Sequence, residues 1–223
     1  MTRIGVAEGG SYGHAFRHNY YDPEDFFLKD EATGEIRRRD GQRLISVSED
    51  LVAALMAGTA EEVGEDASKA ILYLSGYEWA MKDMANFQPN LEQEFGNVPL
   101  GEMHLNFVLE TWWWPLTTTG WGGWKFDFEH RKQGLIFVDL YDSVVAKSLE
   151  QIGRPVCYLY AGLFGGLFSH LSKRELNCIE IQCYANGYDV CRFMIGLDKR
   201  VNAASFWVQE GATAKEIMDK LLD

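Results

Sequence analysis

The sequence predicts an α+β fold in which an antiparallel sheet is packed with helices. Two observations carry that expectation. Apolar residues recur at helical spacing in the first half of the chain, as Leu51, Val52, Leu55 and Met56 do. From Trp124 the period falls to two: Trp124-Lys125-Phe126-Asp127-Phe128-Glu129 alternates as a half-buried strand does. Helices first, then hairpins with helices between them, is the order of an α+β chain rather than of an alternating parallel sheet.

Residues 1–45 are polar and glycine-rich, with turn signals at Gly9-Gly10, Asp22-Pro23 and Asp40-Gly41. Short apolar pieces (Phe26-Phe27-Leu28, Leu44-Ile45) predict an ordered N-terminal arm, and residues 46–223 are expected to form one domain. Ser46-Val47-Ser48-Glu49 reads as a capping box, in which hydroxyl and carboxylate satisfy the first free N–H groups of a helix. A second box, Thr59-Ala60-Glu61-Glu62, precedes Val63, Ala67, Ala70, Ile71, Leu74, Glu78 and Met81, a long amphipathic helix with one apolar stripe. Pro99 is expected to open a third helix, with Met103, Phe107, Val108 and Thr111 on one face, and Pro115 to end it.

Leu135–Leu140 is the expected hairpin partner of the Trp124 strand across His130–Gly134. Asp142 or Ser143 can cap a helix running through Ile152 to a stop at Gly153. Val156 to Leu171 reads as a buried, glycine-rich helix. Cys178–Ala185 and Val190–Ile195 read as two more strands around the turn Asn186–Asp189, and Thr213–Leu221 as a closing amphipathic helix.

Composition narrows the function. The chain has 223 residues, with 21 Lys+Arg against 33 Asp+Glu, a formal charge of −12. Such a surface repels phosphate backbones, so no nucleic-acid partner is expected. No apolar run of about 20 residues exists to span a bilayer, and the first residues lack the apolar core of a secretory signal. The expected setting is the cytoplasm, with peripheral attachment at a membrane left open. Four cysteines in a reducing compartment point to thiols or metal ligands rather than disulfides. GxSxG, Walker, HExxH and dinucleotide motifs are missing, so no catalytic residue is assigned. Gly162-Leu163-Phe164-Gly165-Gly166 lies inside an apolar helix, where close helix packing explains it better than phosphate binding.

The informative set is Cys157, Glu180, Cys183 and Cys191. Thiolates are soft donors that suit zinc, and a carboxylate can complete a tetrahedral shell. Cys183 and Cys191 flank a tight turn, and Cys157 at the start of the preceding helix can reach across. Four protein ligands leave no open position, so such a metal is structural. The plain alternative is that each cysteine is a small buried hydrophobe. In a strict strand Glu180 and Cys183 point to opposite faces while Cys178 and Glu180 share one. Either a bulge re-aims one of them, or Cys178 belongs to the site instead.

The run Val156-Cys157-Tyr158-Leu159-Tyr160-Ala161-Gly162-Leu163-Phe164-Gly165-Gly166, with Ile179–Cys183 and Gly187–Phe193, resembles the 4-vinyl-reductase domain family, most strongly over residues 100–200. In phenol-sensing regulators carrying that domain, a Cys, Glu, Cys, Cys set binds structural zinc, and here it falls on Cys157, Glu180, Cys183 and Cys191. The resemblance also implies a ligand-binding α+β fold shared with vesicle-tethering subunits that hold acyl chains and with haem-binding gas sensors. Other members include a bacteriochlorophyll-biosynthesis protein and cyanobacterial proteins tied to photosystem assembly. Glu180–Ala185, Ala203–Trp207 and Glu210–Ala214 look most like the cyanobacterial group. The family's name records vinyl reduction, but no hydride-donor site is visible, so that activity is not carried over.

Aromatic residues are the second feature, with five of the 7 Trp between positions 112 and 124. Each helical residue turns about 100°, so Trp112, Trp113 and Trp114 cannot all face one core, and at least one is expected to face a pocket, a partner or solvent. Large flat rings suit stacking on a planar apolar ligand. His104, Trp112, Trp113, Trp124 and Phe128 are the candidate ligand contacts, against the alternative of a Trp-rich core or dimer face. His104 could hold a tetrapyrrole metal or a polar substituent of the ligand, or be a plain hydrogen-bonded histidine. His170 ends a helix, where a cation suits the dipole. His14 and His18 could pair at i, i+4, and Tyr12, Tyr20 and Tyr21 could dock on a neighbouring subunit. The expected function is non-catalytic binding of a small hydrophobic ligand, a tetrapyrrole or chlorophyll precursor or a hydrocarbon. The protein would be a zinc-stapled carrier or photosystem assembly factor working as a homodimer, the alternatives being a vinyl reductase or a dimeric adaptor.

Overall fold

Asp22 begins the described chain, and its carboxylate accepts the Glu24 N–H at 3.0 Å to cap a one-turn helix, α1 (Pro23–Phe26). The computed structural model describes residues 22–149 and 151–222. His14, His18, Tyr12, Tyr20, Tyr21 and the Gly9-Gly10 turn lie outside them. Two compact units emerge, Asn86–Thr119 joining the N-terminal segment up to Ser46, and Val47–Ala85 joining Gly120 onward.

In the first unit α1 leads into a three-stranded antiparallel sheet of β1 (Phe27–Asp30), β2 (Glu35–Arg38) and β3 (Arg43–Leu44), in that order. The sheet uses the Asp40-Gly41 turn read from the sequence, with Gly41 at φ 87°. Trp114 anchors it, meeting Phe26 edge-on at 5.0 Å and stacking on Phe27 at 6.0 Å. Pro99 opens only a 3-10 turn (Leu100–Glu102), whose first N–H is accepted by the Glu92 carboxylate at 2.7 Å. The helix that carries the tryptophans, here α4 (Leu105–Thr118), starts later and runs through Pro115 instead of ending there. All three adjacent tryptophans are buried, so none faces solvent, contrary to one of the options open from the sequence.

In the second unit a four-stranded antiparallel sheet has the order β4-β5-β7-β6. Its strands are β4 (Gly123–Asp127), β5 (Leu135–Tyr141), β6 (Asn177–Gln182) and β7 (Cys191–Gly196). The β4–β5 hairpin pairs Trp124 with Leu140 and Phe126 with Val138. One face carries α6 (Tyr158–Ser172), whose Phe164 meets Phe193 of β7 at 4.9 Å. The other carries two helices, α7 (Asp198–Gln209) and α8 (Ala214–Leu222), around a core of Leu135, Phe137, Ile181, Met194, Val201, Ala204 and Ile217. Arg192 lies on that same side, bridging Asp127 at 2.8 Å and Asp139 at 3.1 Å. Helix α7 is absent from the sequence reading. Helix α8 is closed by a reciprocal Thr213–Glu216 capping box.

Two helices precede the sheet, α2 (Glu49–Val63) and α3 (Glu65–Glu94), and α3 passes from the second unit into the first. Both expected capping boxes are corrected. Ser48 is the N-cap of α2, without a side-chain cap bond. Thr59 lies inside α2, where its hydroxyl donates to the Leu55 carbonyl at 2.6 Å. The break between the helices falls at Gly64, φ 81°. The short helix after β5, α5 (Val144–Ser148), is capped by Ser143 as expected but ends before Ile152.

The apolar stripe read on α3 faces outward: Ile71 and Leu74 are exposed, Leu74 at 59%. What packs is the small side of the helix. Gly162 and Gly166 of α6 lie against the Tyr73 and Tyr77 backbone, and Gly76 of α3 lies against Leu159. Backbones that close exclude side chains, so the contact selects glycine and the Ala80 methyl over leucine. Tyr73 then pins α3 to β6, accepting the Cys178 N–H and donating to Asn177, both at 3.2 Å. Among the described residues no helix is long and apolar enough to cross a membrane.

A methyl at Gly162 would overlap the Tyr73 carbonyl, whereas one at Gly58 of α2 meets open space. Gly162→Ala is therefore expected to destabilise by about 1–3 kcal/mol and Gly58→Ala to stabilise by about 0.5–1 kcal/mol. Urea unfolding of both variants checks the pair, and equal effects would contradict the packing.

Candidate metal centre

Three separate segments bring the four donors together. Cys157 is the N-cap of α6, Glu180 lies in β6, Cys183 follows β6, and Cys191 opens β7 after a 3-10 turn (Tyr184–Asn186) and Gly187 at φ 84°. Their donor atoms all lie within 4.8 Å of one another, and all four residues are buried. Sγ of Cys191 is 3.8 Å from that of Cys157 and 3.7 Å from that of Cys183. A zinc–sulfur bond of about 2.3 Å gives a tetrahedral edge of about 3.8 Å, so these separations suit a bound ion without rearrangement.

A bulge resolves the strand-face conflict. The β6–β7 register shifts between Glu180 and Gln182: Glu180 pairs with Phe193 but Gln182 with Arg192. The extra residue, Ile181, turns into the α7–α8 core, and Cys183 returns to the face of Glu180. Cys178 shares that face further along, opposite Ile195, and is not among the clustered donors.

The carboxylate is held by the start of α6. Glu180 Oε2 accepts the N–H groups of Val156 at 2.9 Å and Cys157 at 2.8 Å, which favour an anion at a helix N-terminus. Its Oε1 is buried without a hydrogen-bond partner. An orphaned buried carboxylate oxygen beside three thiols is the donor set of a closed, four-coordinate cation site. Burial pushes the Cys157 thiol and the Glu180 carboxyl well above their ordinary ranges. Hydrogen bonds from Cys157 and Cys191 hold Cys183 low, at about 3. Cys191 is raised, its bond with Cys157 notwithstanding, by the bond to Cys183 and by burial. Without a cation the cluster thus keeps protons on most of its donors, and a bound metal would replace them.

The candidate ligand contacts divide between the units. His104 is the exposed N-cap of α4, not a residue within it. Trp112 and Trp113 are each 2% exposed, their rings 6.3 Å apart. A cavity of about 330 Å³ in this first unit has Phe26, Phe87, Leu91 and Thr111 in its wall, and none of those three. In the second unit Trp124 and Phe128 are half-buried and belong to one aromatic wall. Trp124 lies 4.4 Å from Phe126 and 5.3 Å from Phe164, and Phe128 stacks on Phe126 at 5.8 Å and meets Phe168 at 6.4 Å. The wall continues through Tyr160 and Trp121 to Trp79. Sequence reasoning missed Trp79, Tyr160 and Phe168; the i, i+4, i+8 spacing of Tyr160, Phe164 and Phe168 was its available signal. At His170 burial lowers the imidazole's proton affinity, so the cation expected at that helix end is disfavoured.

Comparison with known proteins agrees with the fold. Residues 136–197 match the model of the 4-vinyl-reductase domain family, so the chain carries that domain, spanning β5 to β7. Two uncharacterized proteins of Methanocaldococcus jannaschii, MJ1642 and MJ0150, are 27% and 24% identical over 62 residues, 28% of this chain. The matched segment covers only 38% and 36% of their lengths. The phenol-responsive sensory domain of the transcription activator PoxR, solved with phenol, shares the fold with a TM-score of 0.61 at 18% identity, covering 77% of this chain and 84% of that one. A vinyl-4-reductase family protein from M. jannaschii aligns with a TM-score of 0.46 at 14% identity, over 68% of this chain and 82% of its own. A trafficking protein particle complex subunit 3 from Naegleria fowleri, covalently bound to palmitic acid, aligns at 0.48 with 13% identity, over 67% and 95%.

Glu180 offers a test that separates its two duties. In metal-stripped protein the raised carboxyl is neutral, so Glu180→Gln is expected to cost little. Glu180→Ala leaves two N–H groups unpaired and should cost about 2–5 kcal/mol. Urea unfolding in chelator checks this, and an Ala variant as stable as Gln would contradict it.

Proposed function

We propose that this chain, with its 4-vinyl-reductase domain, binds a small, planar, apolar molecule without covalent chemistry and carries zinc as a structural staple. The buried cluster of Cys157, Glu180, Cys183 and Cys191 is the observation that supports the reading most directly. Three soft sulfurs and one carboxylate oxygen match zinc's preference, and four protein donors leave no position for substrate. Bound there, zinc supplies a fixed positive charge without redox chemistry. The residues do the rest: Cys157 ties the start of α6, Glu180 and Cys183 tie β6, and Cys191 ties β7.

Flat, half-buried rings support the ligand class. Trp124, Phe126 and Phe128 offer stacking surface over α6, and His104, Trp112 and Trp113 are further candidate contacts. The PoxR sensory domain, which has this fold, responds to phenol, itself a planar aromatic molecule. We favour a tetrapyrrole precursor over a hydrocarbon because only a wide planar ring system uses several of these rings at once. On this reading the protein is a carrier or photosystem assembly factor, acts as a homodimer, and works in the cytoplasm or at the surface of a photosynthetic membrane.

Native mass spectrometry of intact, untagged protein from a pigment-making host tests both halves. The expected spectrum shows one zinc per chain plus a bound apolar molecule of tetrapyrrole mass. Cys183→Ser should lose the zinc and lower the melting temperature by about 10 °C, as loss of about 3 kcal/mol does in a chain of this size. Full zinc content in that variant would overturn the metal assignment. Zinc on wild-type protein without any apolar molecule would overturn the carrier reading, and Trp124→Ala with undiminished cargo would remove that wall from the site.

A further inference from the structure

We propose that Ser143 is a positioning residue for the metal-binding thiolate of Cys157, to which it donates its hydroxyl proton. The inference rests on the metal reading above and extends it to a residue outside the donor set. Ser143 sits between β5 and α5 and is fully buried, although its hydroxyl is polar. The chain reaches it through Asp142, a non-glycine residue at φ 55°. Such a backbone is sparsely populated and turns Ser143 inward.

The hydroxyl has one proton and two lone pairs. Its oxygen accepts the Ala146 N–H at 3.2 Å, which caps α5, and lies 3.3 Å from Cys157 Sγ. The other acceptor within reach is the phenol oxygen of Tyr160. That oxygen already takes the Val144 N–H and gives its own proton to the Trp121 carbonyl at 2.7 Å. A metal-bound thiolate has no proton and carries charge, so it is the stronger acceptor of the two. Ser143 therefore holds the sulfur of Cys157 from the side of β5 and α5. The remaining constraints on the site come from β6, β7 and the start of α6.

Cobalt(II) titration of the intact chain tests this, because sulfur-to-cobalt charge-transfer bands report the thiolates directly. Wild-type protein should show these bands with tetrahedral intensity. Removing the hydrogen bond raises the energy of the sulfur lone pairs, so Ser143→Ala should move the band to longer wavelength and weaken cobalt affinity about tenfold. Ser143→Gly separates this from capping: glycine caps a helix nearly as well as serine and alanine does not. The band shift should be the same in both variants, while the loss of melting temperature should be larger in alanine. Wild-type bands with unchanged band position and affinity in both variants would overturn the role of Ser143 and leave the metal site standing. Absence of any cobalt band in wild-type protein would overturn the metal reading and this inference together.

Discussion

Everything in the sheet-bearing unit depends on how four buried donors are satisfied. Three thiols and a carboxyl with almost no solvent contact would each carry a desolvation penalty if ionised alone. Here they lie within 4.8 Å of one another, with one oxygen still lacking a partner. That arrangement is poor as a core and good as a cage. A hydrophobic isostere set would fill the same volume without the cost. A divalent cation changes the balance, because it neutralises part of the charge and satisfies every donor at once.

The cage also sets where the chain can bend. Ile181 bulges out of β6, so the strand leaves its register just before Cys183. Gly187 reverses the chain and Cys191 resumes the ladder opposite Leu140. A one-residue slip here would send Cys183 to the α7–α8 side, among Phe137 and Met194. The burial of Ile181 in that core and of the sulfurs on the opposite face thus enforce each other.

How much of this was legible in the sequence depends on the range of the interaction involved. Strands β4 and β5 and helix α6 were readable because alternation and apolar density are local signals. The four donors were readable as a set of residue types, yet the face of Cys183 was not, since a bulge leaves no mark in residue order. Helix α3 was found with the wrong face inward. Ile71 and Leu74 carry the hydrophobic pattern, but the glycines of α6 admit only backbone and methyl groups, and that preference belongs to the pair of helices. The small sheet of residues 27–44 was hidden by short strands and polar composition. Its anchor, Trp114, lies some seventy residues away.

Helix α6 joins these constraints. Cys157 begins it; Gly162 and Gly166 form the side that receives α3; Tyr160, Phe164 and Phe168 form the side that meets the aromatic wall. At 1.5 Å per residue, Phe168 lies about 16 Å along the axis from Cys157. A rod that short transmits position without bending. The glycine contacts prevent it from rolling, because rotation would drive a side chain into the Tyr73 or Tyr77 backbone. The donor cluster prevents it from sliding, because its first N–H groups are bound to Glu180. With both motions stopped, the spacing of the rings of β4 against those of α6 is set by the sheet and the cluster, and not by the aromatic contacts themselves. That leaves the half-buried rings of Trp124, Phe126 and Phe128 in place before any ligand arrives.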